Sequence, residues 1–310
     1  MHIGDEKTGL SRVGLLAAIL LCWGGGVVAM GRRQAADHTD AHRLSDAAGR
    51  VTPRDLYFRV DQNGHQVGFA ASRLDTAEGG FYLADYLMAD RWVTTPTSRG
   101  NVSHLRRTTL TNRVWLTNTF RLRRYIVQSD TGTGETVIQI DPVGDTALQM
   151  SVTPPPNMGK PEQRTVRGTP LDLAPTLLPL ALALGGSRPH VGRHTEFDEL
   201  DPVDGPRRVT LAVAAESLFV LPDSAVIDTT THLWTTFTTD TLRAWRIVPD
   251  APLVGGGAPV VEWIDDEGRL VAAAATIPAS GPVTLVRTTY DLAHENWAGK
   301  NIFFRKAKAQ

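Results

Sequence analysis

Cysteine is nearly absent from this chain of 310 residues, and the single one, Cys22, lies in an apolar segment near the N-terminus. The rest of the chain therefore has no disulfide, no thiol nucleophile and no cysteine metal site. Lysine is scarce, and the net charge of −1 gives no overall bias toward nucleic acid as a partner. The fractions of hydrophobic (42%) and charged residues (21%) are those of a folded chain.

Signatures of common catalytic sites are also missing. The sequence has no G-x-S-x-G, no P-loop and no G-x-G-x-x-G, and the glycines at 255–257 open no predicted helix. His190 and His194 are four residues apart, with acidic residues close behind, and would share a metal only on a helix. A proline and a glycine within that segment favour a solvated acidic loop instead. We expect no catalytic residue, metal or cofactor, and keep a metallohydrolase as an alternative.

Only one long apolar run occurs, VGLLAAILLCWGGGVVAM at 13–30. A helix of this length, with a rise of about 1.5 Å per residue, spans most of a hydrocarbon core of about 30 Å. We predict a single transmembrane anchor, preceded by a tail at 1–12 and followed by a linker at 31–50. A cleaved signal peptide is the alternative, but no Ala-x-Ala site follows. The predicted membrane-contacting residues are Leu15, Leu16, Ile19, Leu20, Leu21 and Trp23.

Alternating apolar runs separated by tight turns dominate the remaining sequence. Asn63-Gly64 predicts a hairpin, because both residues tolerate the positive φ of a type I′ turn, and a second hairpin is predicted with its turn at Asp266-Glu267-Gly268. We predict a mainly β fold, with antiparallel sheets or a partly open β-barrel or sandwich, in two halves that could be related. The predicted parts are a first β-rich domain at 51–165, a helical crossover at 166–190, a second β-rich domain at 191–297 and a tail at 298–310. Within the crossover, LDLAPTLLPLALAL at 171–184 is the best helix candidate, shortened or kinked by its prolines and buried.

Four strings carry a resemblance to a known type of domain: VGFAAS after the Asn-Gly turn, TLRAWRI, WIDDEGRLV and VRTTYDLAHENW. Together they resemble an uncharacterised bacterial envelope β-domain that often precedes a transglutaminase-like domain. The resemblance covers about residues 55–297 and implies a non-catalytic module on the outer face of the inner membrane. Arginines after the apolar run favour a cytoplasmic domain by the positive-inside rule. The resemblance to an envelope domain indicates a periplasmic domain instead, and we predict that location.

Two basic features are candidate contact surfaces. The stretch 91–129 contains eight arginines and no acidic residue, and in TFRLRRY strand alternation places Arg121 and Arg123 on one face and Leu122 and Arg124 on the other. Ion pairs with the acidic run at 196–204 are the alternative to partner binding. The tail places phenylalanines beside basic residues, which suits a partner groove or a membrane interface, although a frayed end would have the same composition. The candidate contact residues are Arg106, Arg107, Arg113, Arg121, Arg123, Arg124, Phe303, Phe304, Arg305 and Lys306.

These features favour a non-catalytic, membrane-anchored docking subunit of a multi-subunit bacterial membrane complex. The expected partners are other integral membrane subunits and lipid, with no nucleic acid. From architecture alone, we expect a bioenergetic complex, such as a photosynthetic reaction-centre or light-harvesting assembly. The first alternative is a periplasmic β module that binds a lipid or another hydrophobic ligand, which a cavity around 171–184 would favour.

Overall fold

The computed structural model describes residues 49–77, 79–97, 100–185, 188–250, 261–277 and 281–299, with the backbone alone at 91–104, 276 and 277. The predicted anchor at 13–30 and residues 300–310 of the predicted tail lie outside these ranges. Among the described residues, no helix has both the length and the apolar character that crossing a membrane requires.

The described residues form a mainly antiparallel β structure, as the alternating sequence pattern predicts. Consecutive strands are neighbours except β8 and β9, and the order in the single open sheet is β8-β7-β6-β5-β4-β3-β2-β1-β14-β13-β12-β11-β10-β9. The first and last of these strands, β1 and β14, pair with each other in the middle of the sheet. The strands are β1 (Arg54–Gln62), β2 (His65–Ala77), β3 (Gly80–Thr97), β4 (Gly100–Thr117), β5 (Leu122–Asp130), β6 (Glu135–Val143), β7 (Ala147–Thr153), β8 (Glu162–Arg167), β9 (His194–Asp201), β10 (Gly205–Ile227), β11 (Trp234–Pro249), β12 (Val261–Ile264), β13 (Leu270–Ile277) and β14 (Gly281–Thr288).

The predicted Asn-Gly turn is present between β1 and β2. Asn63 and Gly64 have φ values of 51° and 79°, and the strands on either side pair from Gln62 and His65 onward. Gly268, with a φ of 71°, closes the predicted turn between β12 and β13. These turns follow from local chemistry, because few residues other than glycine and asparagine accept a positive φ at little cost.

The crossover between β8 and β9 is helical and buried, as predicted. A 3₁₀ turn at Pro175–Leu177 leads directly into α1 at Leu178–Leu184, and all seven residues of α1 are buried. The prolines lie in the first turns of these elements, where a missing N–H costs no helical hydrogen bond. They therefore start the helix, whereas the sequence analysis expected them to shorten or kink it.

The concave face of the sheet packs around α1. One continuous core joins Leu182 of α1, which is fully buried, to Val114 and Ile140 of the first half and to Leu211 and Ile247 of the second half. The predicted boundary between two β-rich domains therefore does not separate two sheets, since both parts contribute strands and side chains to the same core.

The two edge strands, β8 and β9, approach each other without forming a ladder in the described structure. Arg164 of β8 donates a hydrogen bond to the carbonyl oxygen of Val203, just after β9. The free edge of β9 is covered by the start of the crossover, because Leu173 donates to the carbonyl oxygen of Asp198 and accepts from the N–H of Leu200, both at 2.8 Å. Covering an edge in this way removes a template for unwanted strand pairing.

Candidate functional surfaces

Part of the longest hairpin extends beyond its neighbours in the sheet. β10 and β11 pair with each other from Leu211 and Pro249 to the turn at Ile227 and Trp234. β9 pairs only with 205–212 of β10, and β12 only with 245–247 of β11. Residues 216–227 and 234–243, called the ribbon below, therefore have no ladder partner on either outer edge among the described residues.

The inner face of the ribbon is anchored to the sheet. Phe219 and Leu242 pack in a small core with Trp263 of β12 and Val286 of β14, and the rings of Phe219 and Trp263 are 5.1 Å apart in an edge-to-face arrangement. A register shift between Val213 and Ala215 bends β10 at the base of the ribbon. Such bulges bend a strand and increase its twist, which here brings the ribbon back onto β12–β14.

The outer face of the ribbon exposes several large apolar side chains. Leu218 and Val220 are 67% and 65% exposed, and Phe237, which has no partner in the β10–β11 register, is 71% exposed. Val226 and Ile227, which are 44% and 46% exposed, lie at the end of the ribbon. A group of large exposed apolar side chains on one element is unusual in a soluble domain and is typical of a binding surface.

The end of the ribbon is held by the C-terminal helix, residues 290–299, which contains a π-helical turn at Asp291–Glu295. The N–H of Trp234 donates to Oδ1 of Asn296 at 2.8 Å, and Nδ2 of Asn296 donates to the carbonyl oxygen of Trp234 at 2.7 Å. The side-chain amide thus pairs with the strand edge as a neighbouring strand would. The ribbon is therefore fixed at its base and at its end.

An aromatic cluster docks the C-terminal helix on the convex face of the sheet. His294 and Trp297 lie 4.7 and 5.4 Å from Phe69 between ring centroids, and Tyr290 lies 5.3 Å from Tyr57. The guanidinium of Arg107 lies 5.2 Å from the ring of Trp297. The string VRTTYDLAHENW, one of those that carried the family resemblance, thus has a structural role here. Its aromatic residues at i, i+4 and i+7 are a helical pattern that the sequence analysis passed over.

The predicted arginine surface is largely paired within the sheet. Arg107 forms a two-bond pair with Asp90, at 2.7 and 2.8 Å. Arg121 bonds Asp145 at 2.7 Å, Arg124 bonds Asp141 at 2.8 Å, and Arg106 donates to the carbonyl oxygen of Thr131. Arg113 is half-buried and Arg123 is exposed. These pairs are internal, but their acidic partners come from β3, β6 and the turn after β6.

The acidic run at 196–204, which the sequence offered as the partner of those arginines, pairs elsewhere. Arg208 of β10 contacts Glu196 and Asp198 at 3.6 and 3.2 Å. Arg207 bonds the fully buried Glu199 at 2.8 Å. Burial raises the pKa of Glu199 above its usual value, and the adjacent Arg207 offsets part of this rise. This pairing joins β9 to β10 near the seam where the sheet edges meet.

One predicted face assignment on β5 is wrong. Leu122 is buried at 4% exposure, whereas Arg124 lies on the opposite face and bonds Asp141. The reason is a register shift, in which Leu122 pairs with Leu116 and Arg124 pairs with Trp115, leaving Arg123 as the extra residue of a bulge. Strict two-residue alternation fails wherever such a residue is inserted.

The two histidines considered as metal ligands do not form a site. His190 and His194 are both exposed, and His194 begins β9 instead of lying on a helix. No group of three His, Cys, Asp or Glu side chains in the described parts of the chain is arranged to hold a metal ion. The sequence has another pair of histidines four residues apart, His38 and His42, and both lie outside the described residues.

Two carboxyl groups face the interior of the curled sheet. Asp85 of β3 is hydrogen-bonded by Ser72 and by Thr176 of the crossover, and burial raises its pKa. Burial, and then the charge of Asp85, raise the pKa of Glu262 on β12 to about 7. These strands are five positions apart in the sheet order, so their electrostatic coupling reflects the curvature that brings the two halves together. Neither carboxyl group was singled out from the sequence.

The space around 171–184, where a hydrophobic ligand was considered, is filled by the protein's own side chains. Leu177, Leu178 and Leu182 are at most 2% exposed and belong to the central core. The segment therefore fills the concave face of the sheet with closely packed side chains.

Comparisons with known proteins give no relative for this chain. No protein-family model, no curated protein and no solved structure matches it. The resemblance to an envelope β-domain therefore stays a prediction.

Proposed function

We propose that this protein is a non-catalytic docking subunit of a multi-subunit bacterial membrane complex. The predicted segment at 13–30 anchors it in the inner membrane, with the β structure on the periplasmic side. The observation that carries the proposal is the exposed apolar outer face of the ribbon, centred on Leu218, Val220 and Phe237. The partner is another membrane subunit of the same complex, which contacts this face.

The ribbon suits docking through its side chains better than through its strand edges. Register shifts interrupt the β10–β11 pairing at Val213/Ala215, Pro222/Ser224 and Ser224/Ala225. Bulges and a proline discourage a further strand from adding to an edge. The apolar outer face remains available, and apolar side chains at the centre of an interface supply much of its binding energy.

The fixed position of the ribbon also supports this role. Its base is held by the Phe219–Trp263 contact and its end by the two hydrogen bonds of Asn296. A surface that is already ordered loses little conformational entropy when a partner binds. The arginines at 106–124 have a smaller part in the proposal, since Arg107, Arg121 and Arg124 already have carboxylate partners.

The test is extraction of the full-length chain from its native membrane in a mild detergent, followed by separation of intact complexes by size. We expect the protein to co-migrate with stoichiometric partner subunits, and crosslinks from the ribbon to identify the contact. The variant Leu218→Ser/Val220→Ser should migrate alone, because both side chains are exposed and their replacement removes apolar contact area without opening the core.

The matched control is Val143→Ser/Val191→Ser, which alters two valines that are 50% and 54% exposed and lie outside the ribbon. This control should remain in the complex. Migration of the unaltered protein as a lone monomer would overturn the proposal. Equal loss of both double variants from the complex would show that the ribbon is not the docking surface.

A further inference from the structure

A cleft of about 320 Å³ lies beside the turn between β12 and β13, next to the base of the ribbon, where Arg243 lies opposite Leu218 in the β10–β11 register. Three arginines from different segments line it: Arg188 after the crossover, Arg243 of β11 and Arg269 just before β13. Trp245 and Leu242 supply an apolar part of the lining. The indole N–H of Trp245 is buried and has no hydrogen-bond acceptor among the described residues.

The residues that line this cleft carry more positive than negative charge. Its lining includes three arginines but only two carboxylates, Asp265 and Asp266. Asp265 is buried at 2% exposure, and its Oδ2 accepts bonds from Arg269 at 2.6 Å and from Arg287 at 3.1 Å. Arg269 also contacts Glu267, at 3.2 Å, so two carboxylates face the guanidinium groups of Arg269 and Arg287.

A third cation lies close to the same carboxylate. The pKa of Arg54 is lowered by burial and then by the charge of Arg269, while Asp265 and Glu267 act in the opposite direction. Arg54 has no carboxylate within ion-pair distance among the described residues. The crowding of arginines makes the local potential favourable to an anion.

Two of the lining arginines are held by weak, exchangeable pairs. Arg188 bonds Asp266 at 2.7 Å with side chains 75% and 43% exposed, and Arg243 contacts Glu216 at 3.2 Å with side chains 60% and 42% exposed. Exposed ion pairs contribute little to stability, so an entering anion with several oxygens can replace the carboxylates. Arg269 differs, because its pair with the buried Asp265 fixes it in position.

We propose that this cleft binds a phosphoryl oxyanion, either free phosphate or the phosphate group of a larger molecule. Arg188 and Arg243 turn their guanidinium groups from their exposed carboxylate partners to the phosphoryl oxygens, and Arg269 contributes from its fixed position. Guanidinium groups match phosphate oxygens in geometry and bind them through paired, charge-assisted hydrogen bonds. Trp245 and Leu242 contact whatever apolar group lies next to the phosphate.

The test is isothermal titration calorimetry of the full-length protein in a nonionic detergent, with sodium phosphate as the titrant and sodium chloride of equal ionic strength as the reference. We expect saturable binding of phosphate and none of chloride. Arg243→Gln and Arg188→Gln should each weaken the Kd by about tenfold, since each removes one charge-assisted contact. Circular dichroism spectra of both variants should match that of the unaltered protein, because both side chains are exposed.

Arg73→Gln is the matched control. Arg73 is 60% exposed, as Arg243 is, and it also pairs with carboxylates, Asp55 and Asp75, but it lies on β2 away from the cleft. Its replacement should leave the Kd unchanged. Absence of saturable phosphate binding, or equal weakening by Arg73→Gln and Arg243→Gln, would overturn the proposal.

A competition experiment distinguishes the two sources of the phosphate group. Glycerophosphoglycerol, the deacylated headgroup of a common bacterial lipid, is titrated into the protein saturated with phosphate. Displacement of phosphate identifies a lipid headgroup as the ligand that fits. Retention of phosphate identifies a free phosphate or a phosphomonoester.

Discussion

The crossover helix and the ribbon are built from similar apolar residues and end in opposite environments. Leu182 of α1 is fully buried, whereas Leu218 of β10 is 67% exposed. The sheet curls around α1 and covers it with side chains from β2 to β12. The ribbon is covered on its inner face only, by the small core that contains Trp263. The comparison shows that the apolar residues of α1 stabilise the fold, while those on the outer face of the ribbon are available for binding.

The largest effect should follow truncation of a leucine in the crossover. Leu182→Ala removes a fully buried side chain and leaves a cavity, so we expect the free energy of unfolding to fall by about 2–5 kcal/mol. Leu218→Ala should change it by less than about 0.5 kcal/mol. Urea unfolding followed by circular dichroism measures both. Similar losses for the two variants would contradict the distinction between the buried crossover and the exposed ribbon.

The interior carboxyl of Glu262 should make stability depend on pH. Its pKa is raised from 4.5 to about 7, so the folded chain binds this proton more tightly than the unfolded chain does. Glu262 therefore has no effect on the free energy of unfolding below about pH 4.5, and it lowers that free energy as the pH rises toward about 7. Glu262→Gln should stabilise the protein by about 3 kcal/mol at pH 8 and by little at pH 4.

Urea unfolding of this variant and of the unaltered protein at the two pH values provides the measurement. Glu216→Gln, which alters an exposed residue of the ribbon, is the control and should show no comparable gain at pH 8. A gain for Glu262→Gln that is the same at both pH values would show that Glu262 does not titrate in this range.

A glycine pair tests the contact between the crossover and the sheet. Gly268 has a φ of 71°, and a Cβ placed there would lie 2.7 Å from Cα of Leu180. Gly268→Ala should therefore lower the free energy of unfolding by about 2–3 kcal/mol through both backbone strain and overpacking. Gly64 has a φ of 79° but open space around it, so Gly64→Ala should cost only about 1 kcal/mol. Equal losses in thermal or urea unfolding would argue against tight packing of the turn on α1.

The smallest effect concerns the attachment of the ribbon. Asn296→Ala removes both hydrogen bonds to the backbone of Trp234 and should destabilise the protein by about 1–2 kcal/mol. Hydrogen exchange should become faster at the end of the ribbon and stay unchanged in β5–β7. Uniformly faster exchange would indicate that Asn296 supports the whole fold instead of the ribbon alone.

Local sequence features predicted much of this fold. The Asn63-Gly64 turn, the turn at Gly268 and the buried crossover at 171–184 are all present, because each depends on backbone preferences or on a continuous apolar run. The faces of β5 were assigned wrongly, since the bulge at Arg123 depends on pairing with β4 and has no local signal. The separation into two β-rich domains likewise did not anticipate that β1 and β14 pair.

The candidate surfaces were harder to predict from the sequence. The arginines at 106–124 were recognised as a cluster, but their partners Asp90, Asp141 and Asp145 lie outside that cluster in the sequence. Leu218 and Val220 occur in a strand pattern like any other, and only the tertiary structure shows that one face of this strand lacks a second layer. The cleft at Arg188, Arg243 and Arg269 joins segments up to about 80 residues apart and carries no sequence motif.

The sequence by itself determined the β class, the tight turns and the buried crossover, because these depend on residue preferences within a few positions of each other. The tertiary structure decided the rest: a single sheet curled around α1, which side chains are left on its outside, and where positive charge accumulates. Those properties depend on which strands pair and on the curvature of the sheet, and both arise from contacts between residues that are distant along the chain.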